Sequence, residues 1–290
     1  MASFDRVVLI FNPNSTGNAQ EKAQELRDEL SVRAPELLVE LVATQHAGHA
    51  LDLAHNAAAT GRPLVISVSG DGGYNEVVNG AMRAGNDHAA CAVLAAGNAN
   101  DHRRSTRERP LADAILIGKV SRIDLLQLTV DGTSRYAHSY IGLGLTPAVA
   151  VDLEKGGKGS LRELVSTVRA FAKFRPFEIE RPDRTRERFD NIIFANIHQM
   201  AKVATLSEDD GRPDDGVFEV ITMQHTAKWK ILGTALKASL RGLGPQPSAT
   251  EYAFTTVKAM PIQIDGEVMD LGANTQVRID IAPKALRTVL

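Results

Sequence analysis

The chain of 290 residues carries a single cysteine, Cys91. Without a second thiol there is no internal disulfide framework and no thiolate-rich zinc site. Long hydrophobic runs are missing too. No window approaches about 18 uninterrupted apolar residues, so no segment reads as a bilayer span. Residues 1–5 pass straight into a short apolar run, with no basic region, long apolar core or small-residue cleavage site, so no secretory leader is readable. These absences predict an intracellular, cytoplasmic protein whose contact with a membrane is at most peripheral, at its inner face. Charge bias is lacking as well: 33 Lys plus Arg stand against 35 Asp plus Glu, a formal net charge of -2. That balance argues against a surface built to hold nucleic acid.

Several catalytic signatures are also absent. Residues 155–160 lack the Gly-Lys-Ser/Thr ending of a Walker A loop, and no G-x-G-x-x-G opens a helix after a strand. Neither H-E-x-x-H nor G-x-S-x-G occurs, which removes zincin and α/β-hydrolase readings. His46 and His49 have no nearby third ligand and read as surface histidines. No repeat or low-complexity tract is present.

Hydrophobic residues make up 43% and charged residues 23%, ordinary globular usage, and the length predicts about two domains. In the first 120 residues β-branched runs alternate with helical patterns. Strands are expected at 6–12, 37–44, 64–69 and 91–96, and helices at 19–32, 47–60 and 74–84. Strands separated by helices imply βαβ units and a parallel sheet covered on both faces, whose ligands sit beyond the strand carboxyl ends. From about residue 122 the pattern turns to hairpins, with Asp131-Gly132 as a tight turn, a second hairpin over 177–197, and further strands at 217–222, 255–265 and 276–281. Helices are expected at 161–174 and 226–241. The fold class is therefore α/β, with a parallel-sheet nucleotide-binding domain (residues 1–120, with 284–290 as a candidate closing segment) followed by an antiparallel, sandwich-like β-rich domain (121–283).

The expected strand 64–69 runs into Gly70-Asp71-Gly72-Gly73 and then into a helix bearing Asn75, Glu76 and Asn79. Glycines between a strand and a helix let backbone N–H groups approach an anion, and the helix N-terminus adds partial positive charge. An aspartate inside such a cradle is costly beside phosphate unless a divalent cation lies between them, so Asp71 points to Mg²⁺. A plain glycine turn is the alternative. The loops Pro13-Asn14-Ser15-Thr16-Gly17 and Gly97-Asn98-Ala99-Asn100-Asp101 occupy equivalent places after two other strands. Taken alone, Asp265-Gly266-Glu267 reads as a hairpin turn with a solvated Glu267.

Ser69-Gly70-Asp71-Gly72-Gly73-Tyr74-Asn75-Glu76-Val77-Val78-Asn79-Gly80 resembles the GGDGTxNEVxNG motif of the diacylglycerol kinase catalytic domain superfamily, which includes bacterial lipid kinases and sphingosine kinases. Asn12-Pro13-x-Ser15-Thr16-Gly17 is similar to its N-P-x-S-G element, Gly97-Asn98-Ala99-Asn100-Asp101 to its G-T-x-N-D, and Asp265-Gly266-Glu267 to its late D-G-E. Thr44 with Gly48-His49-Ala50 resembles a further loop and helix start. The resemblance implies an ATP-dependent lipid kinase that phosphorylates a hydroxyl of a diacylglycerol-like or other lipid acceptor, with a role in lipid metabolism and phospholipid biosynthesis.

It implies ATP contacts from Asn12, Thr44, Gly70, Gly72, Gly73, Asn75, Glu76 and Asn98, catalytic roles for Asp71 and for Glu267 as general base, and Mg²⁺ at Asp71, with Asp215 a candidate ligand of a structural Mg²⁺. An NAD-kinase-like enzyme and a nucleotide-binding protein without kinase activity are the competing readings. Ser69, Gly73 and Asn98 depart from the motifs. Two hydroxyls are thereby missing, each able to donate a charge-assisted bond of roughly 1.5 to 3 kcal/mol, and Gly73→Thr is expected to tighten ATP binding or raise turnover. His102-Arg103-Arg104 replaces a less basic triplet and is expected to add charge near the site. The 226–241 segment, with Trp229 and four basic residues, is a candidate for peripheral membrane contact.

Overall fold

The computed structural model describes residues 3–15, 17–97, 102–103, 109–144, 176–197, 199–200, 204–205, 213–225 and 246–289. The expected helices 161–174 and 226–241, the 155–160 loop, and Thr16, Asn98, Asn100 and Asp101 lie outside the described residues. The chain divides into two units: residues 1–125 with 283–290, and residues 126–282.

Four strands build the first unit's sheet: β1 (Arg6–Phe11), β2 (Leu38–Ala43), β3 (Pro63–Ser69) and β4 (Ala90–Ala95). They pair in parallel in the order β2-β1-β3-β4. β1, β3 and the start of β4 are buried almost throughout, as expected of parallel strands covered on both faces. On one face, Val7, Leu9, Phe11, Leu64, Ile66 and Val68 pack against Ala23, Leu26 and Leu30 of α1 (Ala19–Arg33), together with the helix at Leu111–Ile117. The other face carries α2 (His49–Ala58) and α3 (Asp71–Ala84), which pack on each other and on β3. The helix Leu111–Ile117, labelled α4, is absent from the sequence reading because its seven residues are too few for a clear helical period. The returning segment 283–290 adds a parallel bridge, Thr288 to Cys91. It is fixed by Asp124, whose Oδ1 accepts the Lys284 N–H at 2.6 Å.

The second unit is antiparallel. β5 (Val120–Val130) and β6 (Thr133–Ala137) meet at Asp131-Gly132, both with positive φ, as a tight two-residue turn demands. β7 (Tyr140–Gly144) pairs with β9 (Arg186–Ala195), which in turn takes β8 (Phe177–Glu180) on one side. The short strands β10 (Gln199–Met200) and β11 (Ala204–Thr205) pair with each other. β12 (Phe218–Gln224) pairs with β9 and with β13 (Ser248–Ala249). β14 (Glu251–Thr256), the hairpin of β15 (Met260–Ile264) with β16 (Glu267–Leu271), and the long β17 (Gln276–Val289) complete the unit. Its core gathers Leu126, Leu128, Ile141, Leu143, Phe194, Phe218, Ile262 and Ile279. The mixed architecture, parallel first and β-rich afterwards, is the expected fold class.

Two expected strands prove to be broken. The run after the Asp131-Gly132 turn stops at His138-Ser139, and residues 255–265 divide between β14 and β15. The first break follows hydrogen bonding by Asp265 that periodicity cannot register.

Candidate functional site

The ends of β1, β3 and β4 are drawn together by backbone packing. Any Cβ on Gly17 would overlap the Ala96 carbonyl oxygen, so only glycine lets the loop after β1 approach the end of β4. Lys22 Nζ donates to Ala95 O at 2.8 Å, and the Ala96 N–H donates to Ser69 O at 2.9 Å. Ser15 Oγ accepts the Ala19 N–H at 3.3 Å and so caps the first turn of α1. Asn12 Oδ1 accepts the Asn14 N–H at 2.9 Å, which shapes the loop as an Asx turn. The Thr44 N–H donates to Phe11 O at 2.8 Å and brings the end of β2 to the same edge.

These strand ends surround a cavity of about 480 Å³ within the first unit, in the size range of small-molecule sites. Of the expected nucleotide contacts, Asn12, Thr44, Gly70, Gly73 and Glu76 line it. Asp71 and Gly72 stand beside it in the first turn of α3. Asn75 is turned inward, 6% exposed, with its Oδ1 accepting from Asn79 Nδ2 at 3.0 Å. Gln45 and Ser67, which sequence reasoning passed over, also line the cavity, as do His46, read as a surface histidine, and Ser69, read as a departure from the motif. His46 is exposed and stacks on His49, with ring centroids 4.7 Å apart at 17°. Its signal was its place three residues beyond the end of β2.

α3 begins three residues earlier than its periodicity suggests. Gly70 is its N-cap, and Asp71, Gly72 and Gly73 form its first turn, so this glycine run belongs to the helix. Gly70 and Gly73 of this helix start line the cavity, and the helix dipole there favours an anion. Asp71 is half-buried and its Oδ1 accepts the His102 N–H at 3.3 Å. His102 does not face solvent; it is 2% exposed and its ring lies 4.8 Å from that of Tyr74.

The departures at 69 and 73 are coupled. A Cβ on Gly73 would sit 2.7 Å from both Ser69 Cβ and Ser69 Oγ. A threonine at 73 therefore collides with Ser69, and its simple restoration is expected to damage the loop.

In the second unit, Asp265-Gly266 forms the β15–β16 turn with positive φ at both residues, and Ile264 faces Glu267 across it. Asp265 is fully buried, and its carboxylate accepts the N–H groups of His138, Ser139 and Tyr140 at 2.7, 3.0 and 3.0 Å. His138 Nε2 lies 3.3 Å from Asp265 Oδ2. This aspartate anchors the junction between β6 and β7, which explains the break there. Glu267 is half-buried at the start of β16. Asp215 is exposed, and its Oδ1 accepts the Val217 N–H at 3.1 Å. Among the described residues no three His, Cys, Asp or Glu side chains gather where they could hold an ion together, and no described helix is long and apolar enough to cross a membrane.

A parallel α/β unit with a glycine-opened helix at its strand ends, followed by an antiparallel β unit, defines the class. Residues 6–128 match the family model of the diacylglycerol kinase catalytic domain. No curated protein matches the sequence. A solved structure described as a candidate diacylglycerol kinase from Bacillus anthracis str. Sterne is similar at a TM-score of 0.75 and 18% identity, over 99% of this chain and 97% of that one. A further structure, described as a diacylglycerol kinase from the same organism, has a TM-score of 0.73 at 17% identity, again over 99% and 97%. At such identities the likeness shows that the fold extends over both units.

Proposed function

We propose that the chain is an ATP-dependent lipid kinase that transfers the γ-phosphoryl group to a hydroxyl of a diacylglycerol-like acceptor. The observation that carries the reading is the cavity where the N-terminal turn of α3 meets the ends of β1, β2 and β3. Phosphoryl transfer asks the protein mainly for positioning and charge neutralisation, and a glycine-opened helix start supplies both. In this reading Thr44, Gly70, Gly73 and Glu76 surround the nucleotide with Asn12 nearby, Asn98 is a contact implied by the motif resemblance alone, and the backbone N–H groups of residues 71–73 bind phosphate oxygens. Asn75 acts from behind, through its bond with Asn79, by fixing the helix start.

Mg²⁺ fits the donors at the helix start. It accepts one or two carboxylates and fills its remaining positions with water and phosphate oxygens, so Asp71 would hold it without a protein-built cage. When bound it neutralises charge on the transferred group. Asp215 offers one exposed carboxylate, which as a single donor suits a largely hydrated ion. Glu267 takes the acceptor's proton: the acceptor oxygen bonds to the γ-phosphorus, the bond from that phosphorus to the ADP oxygen breaks, and the hydroxyl proton passes to the Glu267 carboxylate.

Purified protein is assayed with labelled ATP and Mg²⁺ against diacylglycerol in mixed micelles, against NAD, and with no acceptor. The expected outcome is phosphorylated lipid, lost in Asp71→Ala protein whose circular dichroism is unchanged. Label transfer to NAD, or none to any acceptor, would reject the lipid assignment.

A further inference from the structure

We infer that Ser69 supplies, from the end of β3, a hydroxyl to the phosphate-binding turn, and that Gly73 is glycine because Ser69 occupies the space its side chain would need. The inference rests on the nucleotide reading above. Two residues, one on the strand and one a turn into the helix, compete for one volume: a Cβ at 73 would come within 2.7 Å of the Ser69 side chain. The hydroxyl is thus delivered from position 69, and its place in the loop differs from one borne on the helix.

The hydrogen bonds around Ser69 leave its proton free to move. Ser69 Oγ donates to Gly70 O at 2.9 Å, yet that carbonyl also accepts the Tyr74 N–H at 3.1 Å. Turning the hydroxyl toward a ligand therefore strands no buried acceptor. Ser67, 2% exposed, lies behind with its Oγ 2.6 Å from Ser69 Oγ. With Ser67 donating, Ser69 keeps a satisfied lone pair while its own proton turns from Gly70 O to a ligand. Ser67, Ser69, Gly70 and Gly73 all line the cavity. A donor so placed, next to a helix N-terminus, suits a phosphate oxygen of the nucleotide. Ser69 is then a binding residue and Gly73 a residue that makes room for it.

The test is a double-substitution cycle in the full chain with Ser69→Gly, Gly73→Thr and both together, with Ser69→Ala as the variant that keeps the Cβ. Each protein is titrated with ATP and with adenosine by calorimetry, and its Tm is recorded. Ser69→Ala is expected to weaken ATP by at least about tenfold, the loss of one charge-assisted bond, and to leave adenosine unchanged. A purely structural serine would move both ligands together. Gly73→Thr alone is expected to lower Tm and abolish ATP binding, and the double variant to recover both to within about threefold of the parent affinity. Additive losses in the double variant would overturn the shared-space assignment. Unchanged ATP affinity in Ser69→Ala would overturn the hydroxyl's role. A parent protein that binds neither ligand would overturn the nucleotide reading and the hydroxyl's role with it, whereas the Tm cycle would still decide the steric pairing separately.

Discussion

Cys91 shows how burial sets a side chain's chemistry. It is 1% exposed on β4, and burial pushes its thiol up to about 12. Because the thiolate is the reactive form, the folded protein is expected to resist a thiol reagent at pH 8 and to react at the rate at which it unfolds. The sign of the pH effect follows. The folded state prefers the neutral thiol, so this group's contribution is complete below an unfolded value near 9 and declines as pH climbs toward 12. Rapid modification of native protein at pH 8 would show that β4 is less enclosed. The D-G-E run separates two roles by the same logic. Asp265 holds three backbone N–H groups, each costing about 1–3 kcal/mol when left unpaired, so Asp265→Ala is expected to destabilise the chain by at least about 3 kcal/mol in urea. Glu267→Gln keeps shape and fold, and is expected to cost about 10²- to 10⁴-fold in turnover with ATP affinity retained. Equal stability losses in both variants would place Glu267 in the scaffold as well.

Between elements, Gly80 matters more than its place in a motif suggests. A Cβ there would overlap Leu51 O and lie 2.8 Å from Ala54 Cβ, so α3 crosses α2 at glycine contact distance. Alanine would gain about 0.8–1 kcal/mol of helix propensity and lose about 1–3 kcal/mol to overpacking. Gly80→Ala is expected to be destabilising by up to about 2 kcal/mol in urea unfolding, whereas a stabilised variant would refute the tight crossing. The parallel strands were legible in sequence to within about a residue at each end, β1, β3 and β4 because continuous burial writes continuous apolar runs. The hairpin turns at Asp131 and Asp265 were legible because positive φ at both turn positions selects Asp-Gly. The break at His138 escaped because it needs a carboxylate from residue 265, distant in sequence, and the inclusion of Asp71 in α3 because a glycine cap leaves no apolar period to read. At the site, glycines and asparagines in recognisable motifs could be found by reading. Ser69 read as a defect until the space around Gly73 showed it to be one half of a pair.

At the scale of the chain, the first unit is not one continuous stretch of sequence. Residues 283–290 leave the second unit and return to the first. There Leu286 and Val289 are 3% and 1% exposed, Thr288 bridges to Cys91, and Lys284 gives its N–H to Asp124. Burial of the two apolar side chains contributes about 1.5–3 kcal/mol each. Their sum is comparable with much of the about 5–15 kcal/mol that holds a domain folded. A chain truncated after Ala282 keeps every residue of the second unit and lacks only this segment. It is expected to lose the first unit's cooperative transition, or to show it at a midpoint lower by several degrees, while the second unit's transition persists. Hydrogen exchange localises the effect: amides of β4, the strand that Thr288 bridges, should exchange faster by at least an order of magnitude. If the truncated chain unfolds at the parent midpoint with β4 equally protected, the returning strand is an ornament and the first unit is complete in residues 1–125.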